Sequence, residues 1–313
     1  MTELAQGEPA ASIDDLPARM LDSLEGVILG QRMNLSLILA TLLSGGHVLL
    51  EDRPGVGKTV LARAIGAMLG IDSNRIQGTP DLLPSDVTGV HIYNPQSGEW
   101  SFRAGPIFTS LLLVDELNRA TPKSQSALLE AMAEGQVSVD GTTQRLDPNF
   151  MVIATQNPKG EVGTHPLGNA QIDRFAASLQ LGLPDRASER SIISGSAGTS
   201  HLESIRPVAP AGEIHALRQK IATLPVHDLV LDYLIDVVES FRSVDGVWLS
   251  VRVTQTMLQV ARGRAVFEGR EYVIPQDIQA VAPAILSHRL PPAFDAASIL
   301  GVLVGVPVPV DVD

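Results

Sequence analysis

The chain has 313 residues, which is long enough for about two domains with buried cores. It contains no cysteine, so disulfides, zinc–thiolate sites and thiol catalysis are excluded. The formal net charge of −12 argues against broad binding to nucleic acid or to a membrane surface. The longest apolar stretches, such as 299–306, are far shorter than the roughly 20 residues of a membrane-spanning helix, and the first residues show no secretion signal. We therefore expect a soluble, cytoplasmic protein.

Strands alternate with helices in the first part of the chain. Apolar spacing predicts helices over 12–27 and 31–44, then a short buried strand over 47–50 and a helix over 59–69. Between that strand and that helix lies the glycine-containing stretch 52–59. A strand, a glycine turn and a helix are the context that a phosphate-binding loop requires.

The stretch reads DRPGVGKT and ends like the phosphate-binding pattern G-x-x-x-x-G-K-[ST], but Asp52 stands where the first glycine belongs. Gly55 and Gly57 let the backbone approach phosphate oxygens, which N–H groups and the helix N-terminus can bind. Lys58 is placed to reach the β- and γ-phosphates, and the Thr59 hydroxyl to hold Mg²⁺. Aspartate tolerates a positive φ at modest cost, and its carboxylate should point away from the phosphates. A purely structural turn is the alternative.

Two further buried strands end in polar side chains. The strand over 110–116 ends in Asp115 and Glu116, which in a parallel sheet emerge near the phosphates. Asp115 can bind Mg²⁺ through water, and Glu116 can deprotonate the attacking water. The strand over 150–155 leads to Asn157, which can position that water. Solvated acidic caps and a simple Asn-Pro turn are the alternatives.

A single arginine follows these strands. Residues 169–178 place Arg174 on or beside a short helix, before a predicted strand over 178–183. An exposed cation at this position could complete the site of a neighbouring subunit and stabilise transition-state charge. An ordinary surface charge is the alternative.

Hairpins and a helical region complete the pattern. Residues 87–104 alternate about Ser97-Gly98, and residues 136–146 alternate about Asp140-Gly141, so each predicts a β-hairpin. Residues 191–212 are rich in Ser, Gly, Ala and Pro and predict a connecting loop. Helical patterns follow at about 213–223, 227–242, 252–268 and 276–288.

These motifs carry a family resemblance. PGVGKT, LLLVDELNRA, VIATQNP and QIDRF resemble the Walker A, Walker B, sensor 1 and arginine-finger motifs of AAA+ ATPases. More narrowly, GHVLLEDRPGVGKT, RIQGTPDLLPSDVTG, GPIF, QSALLEAMAEGQVSVDG and ATQNP are similar to the MoxR family, over about residues 20 to 290. The segment Ser250-Val251-Arg252 resembles the family's sensor 2, with Val251 in place of the usual proline. Arg252 would then reach a γ-phosphate.

The resemblance implies ATP and Mg²⁺ as cofactors. Val27, Ile28 and Gly30 are expected to flank the adenine, with a helix end packed in the core as the alternative. Further ATP-binding residues are Pro54, Gly55, Val56, Gly57, Lys58, Thr59 and Val60. The metal-binding residues are Thr59 and Asp115, and the catalytic residues are Glu116, Asn157, Arg174 and Arg252.

The implied fold class is α/β: an AAA+ P-loop NTPase core with a five-stranded parallel sheet between helices and an all-helical lid. The implied strand order is 5-1-4-3-2, and the two hairpins resemble the helix-2 insert and the pre-sensor-1 hairpin of this branch. The expected divisions are a flexible N-terminus over 1–11, the nucleotide-binding domain over 12–184, a linker over 185–212 and the lid over 213–313.

The implied function is Mg²⁺-dependent ATP hydrolysis that remodels or matures a partner protein, including metal or cofactor insertion. The expected assembly is a homo-oligomer, a hexameric ring, and the expected client carries a von Willebrand factor A domain. The ATPase subunit of a metal chelatase is the nearest alternative, because it shares the inserts. A DNA-acting AAA+ motor is disfavoured by the acidic charge, and a non-hydrolysing nucleotide-binding module by Glu116 and Arg174.

Overall fold

The fold comes from a computed structural model that describes residues 12–52, 55–157, 163–195, 198–291 and 294–309. The predicted flexible segment 1–11 lies outside the described residues. The strands in the described residues are β1 (Val48–Glu51), β2 (Ser73–Gln77), β3 (Gly89–Asn94), β4 (Glu99–Ala104), β5 (Leu111–Asp115), β6 (Gln136–Val139), β7 (Thr142–Arg145), β8 (Met151–Gln156) and β9 (Ala177–Leu179).

The α-helices are numbered in the same way. They are α1 (Leu16–Glu25), α2 (Arg32–Leu43), α3 (Lys58–Leu69), α4 (Pro84–Thr88), α5 (Pro122–Glu134), α6 (Asn169–Ile172), α7 (Arg186–Ile193), α8 (Thr199–Leu202), α9 (Ala211–Thr223), α10 (Asp228–Arg242), α11 (Val251–Phe267), α12 (Pro275–Leu286) and α13 (Ala296–Val304). Short 3₁₀ turns precede α1 and follow β5.

The central sheet has five parallel strands in the order β2-β5-β8-β1-β9. Counted without the hairpin strands and read from the β9 edge, this is the predicted order 5-1-4-3-2. Val48 pairs with Ile153, and Leu111 pairs with Met151, so β1, β5 and β8 run in near alignment. Their carboxyl ends therefore meet at one edge of the sheet, where ligands bind in open α/β sheets.

Alternate residues of the strands enter two separate cores. Leu111 and Leu113 of β5 face the core formed with α1, α2 and α3, whereas Leu112 and Val114 face the core formed with α5. β5 and β8 are buried along their whole length, as expected for strands covered by helices on both faces. The edge strand β2 is exposed at every residue except Ile76.

Both predicted hairpins are present. In β6–β7, Asp140 has φ 50° and Gly141 has φ 78°, the backbone that a tight two-residue hairpin turn requires. In β3–β4, the strands pair from Gly89 with Ala104 to Asn94 with Glu99. Residues 87 and 88, predicted as part of this hairpin, instead end helix α4.

The lid helices pack directly on the nucleotide-binding core. A Cβ at Gly263 of α11 would lie 2.8 Å from the carbonyl oxygen of Ala40 in α2, so only glycine permits this close approach. The Ser44 hydroxyl donates to the carbonyl oxygen of Gln259, 2.9 Å away. The four predicted lid helices correspond to α9, α10, α11 and α12.

Two predicted segments differ from the structure, and some of its helices were not predicted. The loop predicted over 191–212, within the linker 185–212, contains most of the last turn of α7 and all of α8. Helix α7 was not predicted, because residues 185–212 were assigned to a linker on the basis of composition. Asp185 caps this helix, since its carboxylate accepts a hydrogen bond from the Ser188 amide at 2.8 Å. The strand predicted over 178–183 ends at Leu179, because the Leu181 amide donates to the Asp52 carboxylate. Helix α13 was not predicted.

No helix in the described residues is long and apolar enough to cross a membrane.

The buried His47 should make the stability of the fold depend on pH in the acidic range. Its Nδ1 accepts from the Val152 amide and its Nε2 lies 3.3 Å from the Met132 carbonyl oxygen, so the neutral ring joins β8 to α5. Burial lowers the pKa of His47 to about 4, whereas an unfolded chain binds this proton below about pH 6.5. Stability is therefore complete above about pH 6.5 and falls as pH drops towards 4, by roughly 2 kcal/mol at pH 4.5.

Urea unfolding at pH 7 and pH 4.5 measures this loss. Gln at position 47 can donate and accept but does not titrate, so His47→Gln should lose less stability on acidification than the parent. His215→Gln, at an exposed position of α9, controls for removal of a histidine. Equal pH dependence of the parent and His47→Gln would show that His47 does not contribute.

Candidate active site

The loop between β1 and α3 has the backbone that its glycines predict. Gly55 has φ 91° and Gly57 has φ 92°, conformations that are strained for other residues. A Cβ on Gly55 would meet no atom within 4 Å. The positive φ therefore favours glycine at this position, whereas steric crowding does not. Pro54, predicted to bind ATP, lies outside the described residues.

Lys58 begins α3 and its side chain is buried, with 8% of the residue exposed. Its ammonium group donates to the backbone carbonyl oxygen of Asp52, at the entrance of the loop. A cation beside glycines whose backbone a ligand can approach closely is suited to bind an anion. The helix N-terminus at Gly57 adds the favourable end of the helix dipole.

Asp52 does not have the backbone that the sequence suggested. The described residues other than glycine with positive φ are Glu116 and Asp140, so Asp52 is not in the left-handed region. Its buried carboxylate accepts hydrogen bonds from the amides of Leu181 and Gly182, beyond β9. The residue therefore ties the start of the loop to the chain leaving the sheet, a role that glycine cannot perform.

Asp115 lies at the carboxyl end of β5 and is 6% exposed. Its carboxylate accepts from the Thr59 hydroxyl at 3.1 Å and from the Thr155 hydroxyl at 3.4 Å. Arg75 of β2 donates to it through Nε at 2.7 Å. The predicted pair Thr59 and Asp115 is therefore in direct contact, and a cationic group already lies against the carboxylate.

Glu116 has φ 54°, an uncommon conformation for a residue other than glycine, and such strain concentrates at functional sites. Its amide donates to the Thr155 hydroxyl at 2.9 Å. The predicted Asn157 donates to Oε1 at 3.4 Å, while Gln77 and Arg119 donate to Oε2 at 3.0 and 3.1 Å. The carboxylate is thus held in a fixed orientation beside Asp115.

Four of these contacts were missed from the sequence: Arg75, Gln77, Arg119 and Thr155. Arg75 and Gln77 stand two residues apart on β2, so they face the same side of the strand, and each bonds one Walker B carboxylate. The signal for Arg75 and Gln77 was the segment RIQG, and Arg119 and Thr155 lie within LLLVDELNRA and VIATQNP; these segments served as family matches, and the four residues were not assigned to the site.

A cavity of about 220 Å³ opens beside the glycine loop. Its lining includes the predicted residues Val27, Ile28, Gly55, Val56, Gly57 and Val60. Gly30 is not among the lining residues; with φ 72° it makes a turn whose Cβ would lie 3.2 Å from the Ser188 hydroxyl. Sequence reasoning missed Leu181, Gly182, Pro184 and Ile192, which follow β9 in the chain and also line the cavity.

Arg174 and Arg252 lie outside the cavity beside the glycine loop. Arg174 follows α6 and is half-buried, and among the described residues its guanidinium has no hydrogen bond or ion pair. Arg252 is exposed in the first turn of α11. Neither lines the cavity at the glycine loop. A separate cleft of about 340 Å³ brings the segment before Arg174 against the segment before Arg252.

Comparison with known proteins decides the family. Residues 47–177 match the model of the ATPase family associated with various cellular activities (AAA), and residues 249–299 match the AAA lid domain. Protein YeaC of Bacillus subtilis is 43% identical over 88% of this chain and 87% of its own length. Chaperone MoxR1 of Mycobacterium tuberculosis is 38% identical over 89% of this chain and 76% of its own. The chain belongs to the MoxR family of AAA+ ATPases.

A solved structure from Cytophaga hutchinsonii, assigned as an ATPase, confirms the fold of this MoxR-family chain. The two align with a TM-score of 0.85 and 32% identity over 94% of this chain and 95% of the other. The α/β core with a helical lid, and the assignment as an ATP-hydrolysing enzyme, are therefore established. A magnesium-chelatase 38 kDa subunit of Acidiphilium rubrum is more distant, at 27% identity over 71% of this chain and 63% of its own.

Substitution of Asp52 in this MoxR-family ATPase tests whether its hydrogen bonds to the chain beyond β9 support the fold and the nucleotide site. In Asp52→Asn one of the two amides, Leu181 or Gly182, faces an NH₂ group instead of an oxygen. The lost hydrogen bond to a charged acceptor should lower the free energy of unfolding by about 1–3 kcal/mol. Because Gly182 lines the cavity, ADP should bind roughly three- to tenfold more weakly.

Urea unfolding and calorimetry with ADP measure both effects. The adjacent Glu51→Gln is the matched control, since its amide oxygen can still accept from the Ser178 hydroxyl, which lies 3.0 Å from Glu51. Unchanged ADP affinity in Asp52→Asn would show that the chain beyond β9 does not form part of the nucleotide site.

Proposed function

We propose that ATP is hydrolysed at the cluster formed by Lys58, Thr59, Asp115, Glu116 and Asn157. The observation that carries this proposal is the position of Glu116, oriented through both carboxylate oxygens next to the contact between Asp115 and Thr59. The glycine loop opens beside this cluster, and an apolar cavity that suits a nucleobase adjoins the loop.

The residues present fit a magnesium ion. The Thr59 hydroxyl and the Asp115 carboxylate would hold it, both being the oxygen ligands that Mg²⁺ prefers. The Arg75 guanidinium against Asp115 shows that this carboxylate accommodates positive charge. Among the described residues no group of three or more His, Asp or Glu side chains could hold a metal, so phosphates and water would complete the shell. The ion would neutralise charge on the β- and γ-phosphates.

The protein groups then have separate tasks. Lys58 and the loop amides hold the phosphates, and Asn157 with Glu116 orients a water in line with the γ-phosphorus. Glu116 takes a proton from that water as its oxygen bonds to phosphorus and the bond to the bridging oxygen breaks, which releases ADP and phosphate. Gln77 and Arg119 fix Oε2 of Glu116, so Oε1, on the Asn157 side, is the basic atom.

We further propose a homo-oligomeric ring, a hexamer, in which Arg174 completes the site of the next subunit. The separation of Arg174 from the cavity of its own subunit supports a role in trans. Arg252 lies in the first turn of α11, two residues after Ser250, and Ser250 and Asp173 line the same cleft, so Arg252 is near the segment that carries Arg174. A head-to-tail interface of this kind closes into a ring when its rotation permits.

The work of such a ring is the remodelling or maturation of a client protein in the cytoplasm, as the chaperone MoxR1 suggests by its similarity. The hairpin β3–β4 exposes Tyr93 and Trp100, an aromatic pair 5.3 Å apart that is suited to protein contact. We propose a client with a von Willebrand factor A domain, with metal or cofactor insertion as one form of maturation. The alternative function, as the ATPase subunit of a metal chelatase, has weaker support, because the similarity to chelatase subunits is more distant than the similarity to MoxR1.

Mixing two inactive variants tests the shared site. Glu116→Gln removes the base and Arg174→Ala removes the cation, so each should bind ATP but lose turnover, on the order of 10³-fold for the arginine. Mixed rings contain interfaces that pair an intact Glu116 with an intact Arg174. At equal amounts, at most about one quarter of the sites are restored in a random ring.

Phosphate release from the mixture, with subunit exchange followed by fluorescence transfer, is the measurement. A mixture that exchanges subunits yet stays inactive would contradict a site shared between subunits. A Glu116→Gln protein with parental turnover would remove Glu116 from its proposed role.

A further inference from the structure

The end of the lid helix α12 holds the backbone on both sides of Arg174. We call residues 173–176 the finger segment. Arg289, three residues after α12, has a side chain that is only 4% exposed. Its Nε donates to the Asp173 carboxylate at 2.9 Å, and its two terminal nitrogens donate to the backbone carbonyl oxygens of Asp173, Phe175, Ala176 and Ile285.

All five N–H groups of Arg289 therefore have an acceptor, and four of the five acceptors belong to the finger segment. Such a planar fork cannot be reproduced by lysine, whose three donors sit on one atom. Burial of a guanidinium is unfavourable unless its hydrogen bonds are made, and here they are made to the residues that flank Arg174. Burial indeed lowers the pKa of Arg289, opposed by the bond to Asp173.

His288 adds a second contact to the same segment. Its Nε2 lies 3.1 Å from the Phe175 carbonyl oxygen, which also accepts from Arg289. Burial lowers the pKa of His288 well below its ordinary value, so the ring is neutral and Nε2 carries the donated proton. The Arg174 side chain makes no competing bond among the described residues, so its direction depends on the backbone that these contacts hold.

The other end of α12 is equally fixed. Asp277, fully buried in its first turn, pairs with Arg264 of α11 and with Arg270. Its carboxylate also accepts from the amide of Ile274, before the helix. α12 is thus attached to α11 at one end and to the finger segment at the other. A displacement of the lid would move the finger segment with it.

We propose that Arg289 is a positioning residue that couples the lid of one subunit to the ATP site of its neighbour, by fixing where Arg174 is presented. The inference rests on the proposed trans role of Arg174. Arg289 itself does not reach the reacting atoms in this scheme. Its loss changes the placement of Arg174, and a misplacement of about 1 Å at a reacting centre costs on the order of 100-fold in rate.

Arg289→Gln is the principal variant, and Arg270→Gln is its matched control. Both remove a lid arginine that is paired with a carboxylate, but Arg270 does not touch the finger segment. Arg289→Gln should keep its affinity for ATP and its assembly, and lose turnover by roughly 10- to 100-fold. Arg270→Gln should lower the melting temperature with little loss of turnover per assembled subunit. Arg289→Lys should fall between Arg289→Gln and the parent.

Two readouts separate positioning from a general structural role. Mixing Arg289→Gln with Glu116→Gln should restore turnover, because the Arg289→Gln subunit keeps its own Glu116 and receives an intact finger from its neighbour. The double variant Arg174→Ala/Arg289→Gln should be no slower than Arg174→Ala alone, because both changes act through one guanidinium.

The inference is overturned if Arg289→Gln retains parental turnover, if the mixture stays inactive although subunits exchange, or if the double variant is much slower than Arg174→Ala. If Arg289→Gln does not fold, the mixture and the double variant made with Arg289→Lys decide in the same way. Parental turnover in Arg174→Ala would instead refute the proposed shared site, which distinguishes the two failures.

Discussion

The structure depends on the register of its parallel strands. Because β1, β5 and β8 are aligned, the residues that follow them emerge side by side: the glycine loop, Asp115 with Glu116, and Asn157. The Thr155 hydroxyl joins two of these strand ends, since it accepts from the Glu116 amide and donates to Asp115. A shift of one residue would turn Asp115 to the other face and separate it from Thr59. Burial of β5 and β8 on both faces makes that shift costly.

Two groups of side chains with proposed functions follow from this framework. One group lies at the strand ends and contains the carboxylates, the loop lysine and the apolar cavity. The other lies where the lid meets the segment before β9 and contains Arg174 and Arg252. The lid joins the two because α11 packs on α2 through Gly263, while α12 ends on the finger segment through Arg289. A chain built in this way can relate lid position to catalysis at the site of another subunit.

The strands themselves could be predicted from buried apolar runs, which are local signals, and the family resemblance implied their order, which the structure confirms. The assignment of Thr59 and Asp115 to one magnesium site is consistent with the contact between their side chains. The sequence did not predict Arg75 or Gln77, since the role of an exposed edge strand depends on a neighbouring strand that lies far along the chain. It also misjudged Asp52, whose two amide partners are some 130 positions away. Helix α7 was missed because composition outweighed its Asp185 cap. Long-range polar contacts leave no periodicity in the sequence.

The central claim is that one subunit alone does not contain a complete active site. The most direct test is the turnover per subunit measured across protein concentrations, with the mass of the assembly determined in the same samples. The account predicts that turnover per subunit falls towards zero on dilution, in step with loss of the assembled species. Constant turnover per subunit in samples that contain only monomer would contradict it.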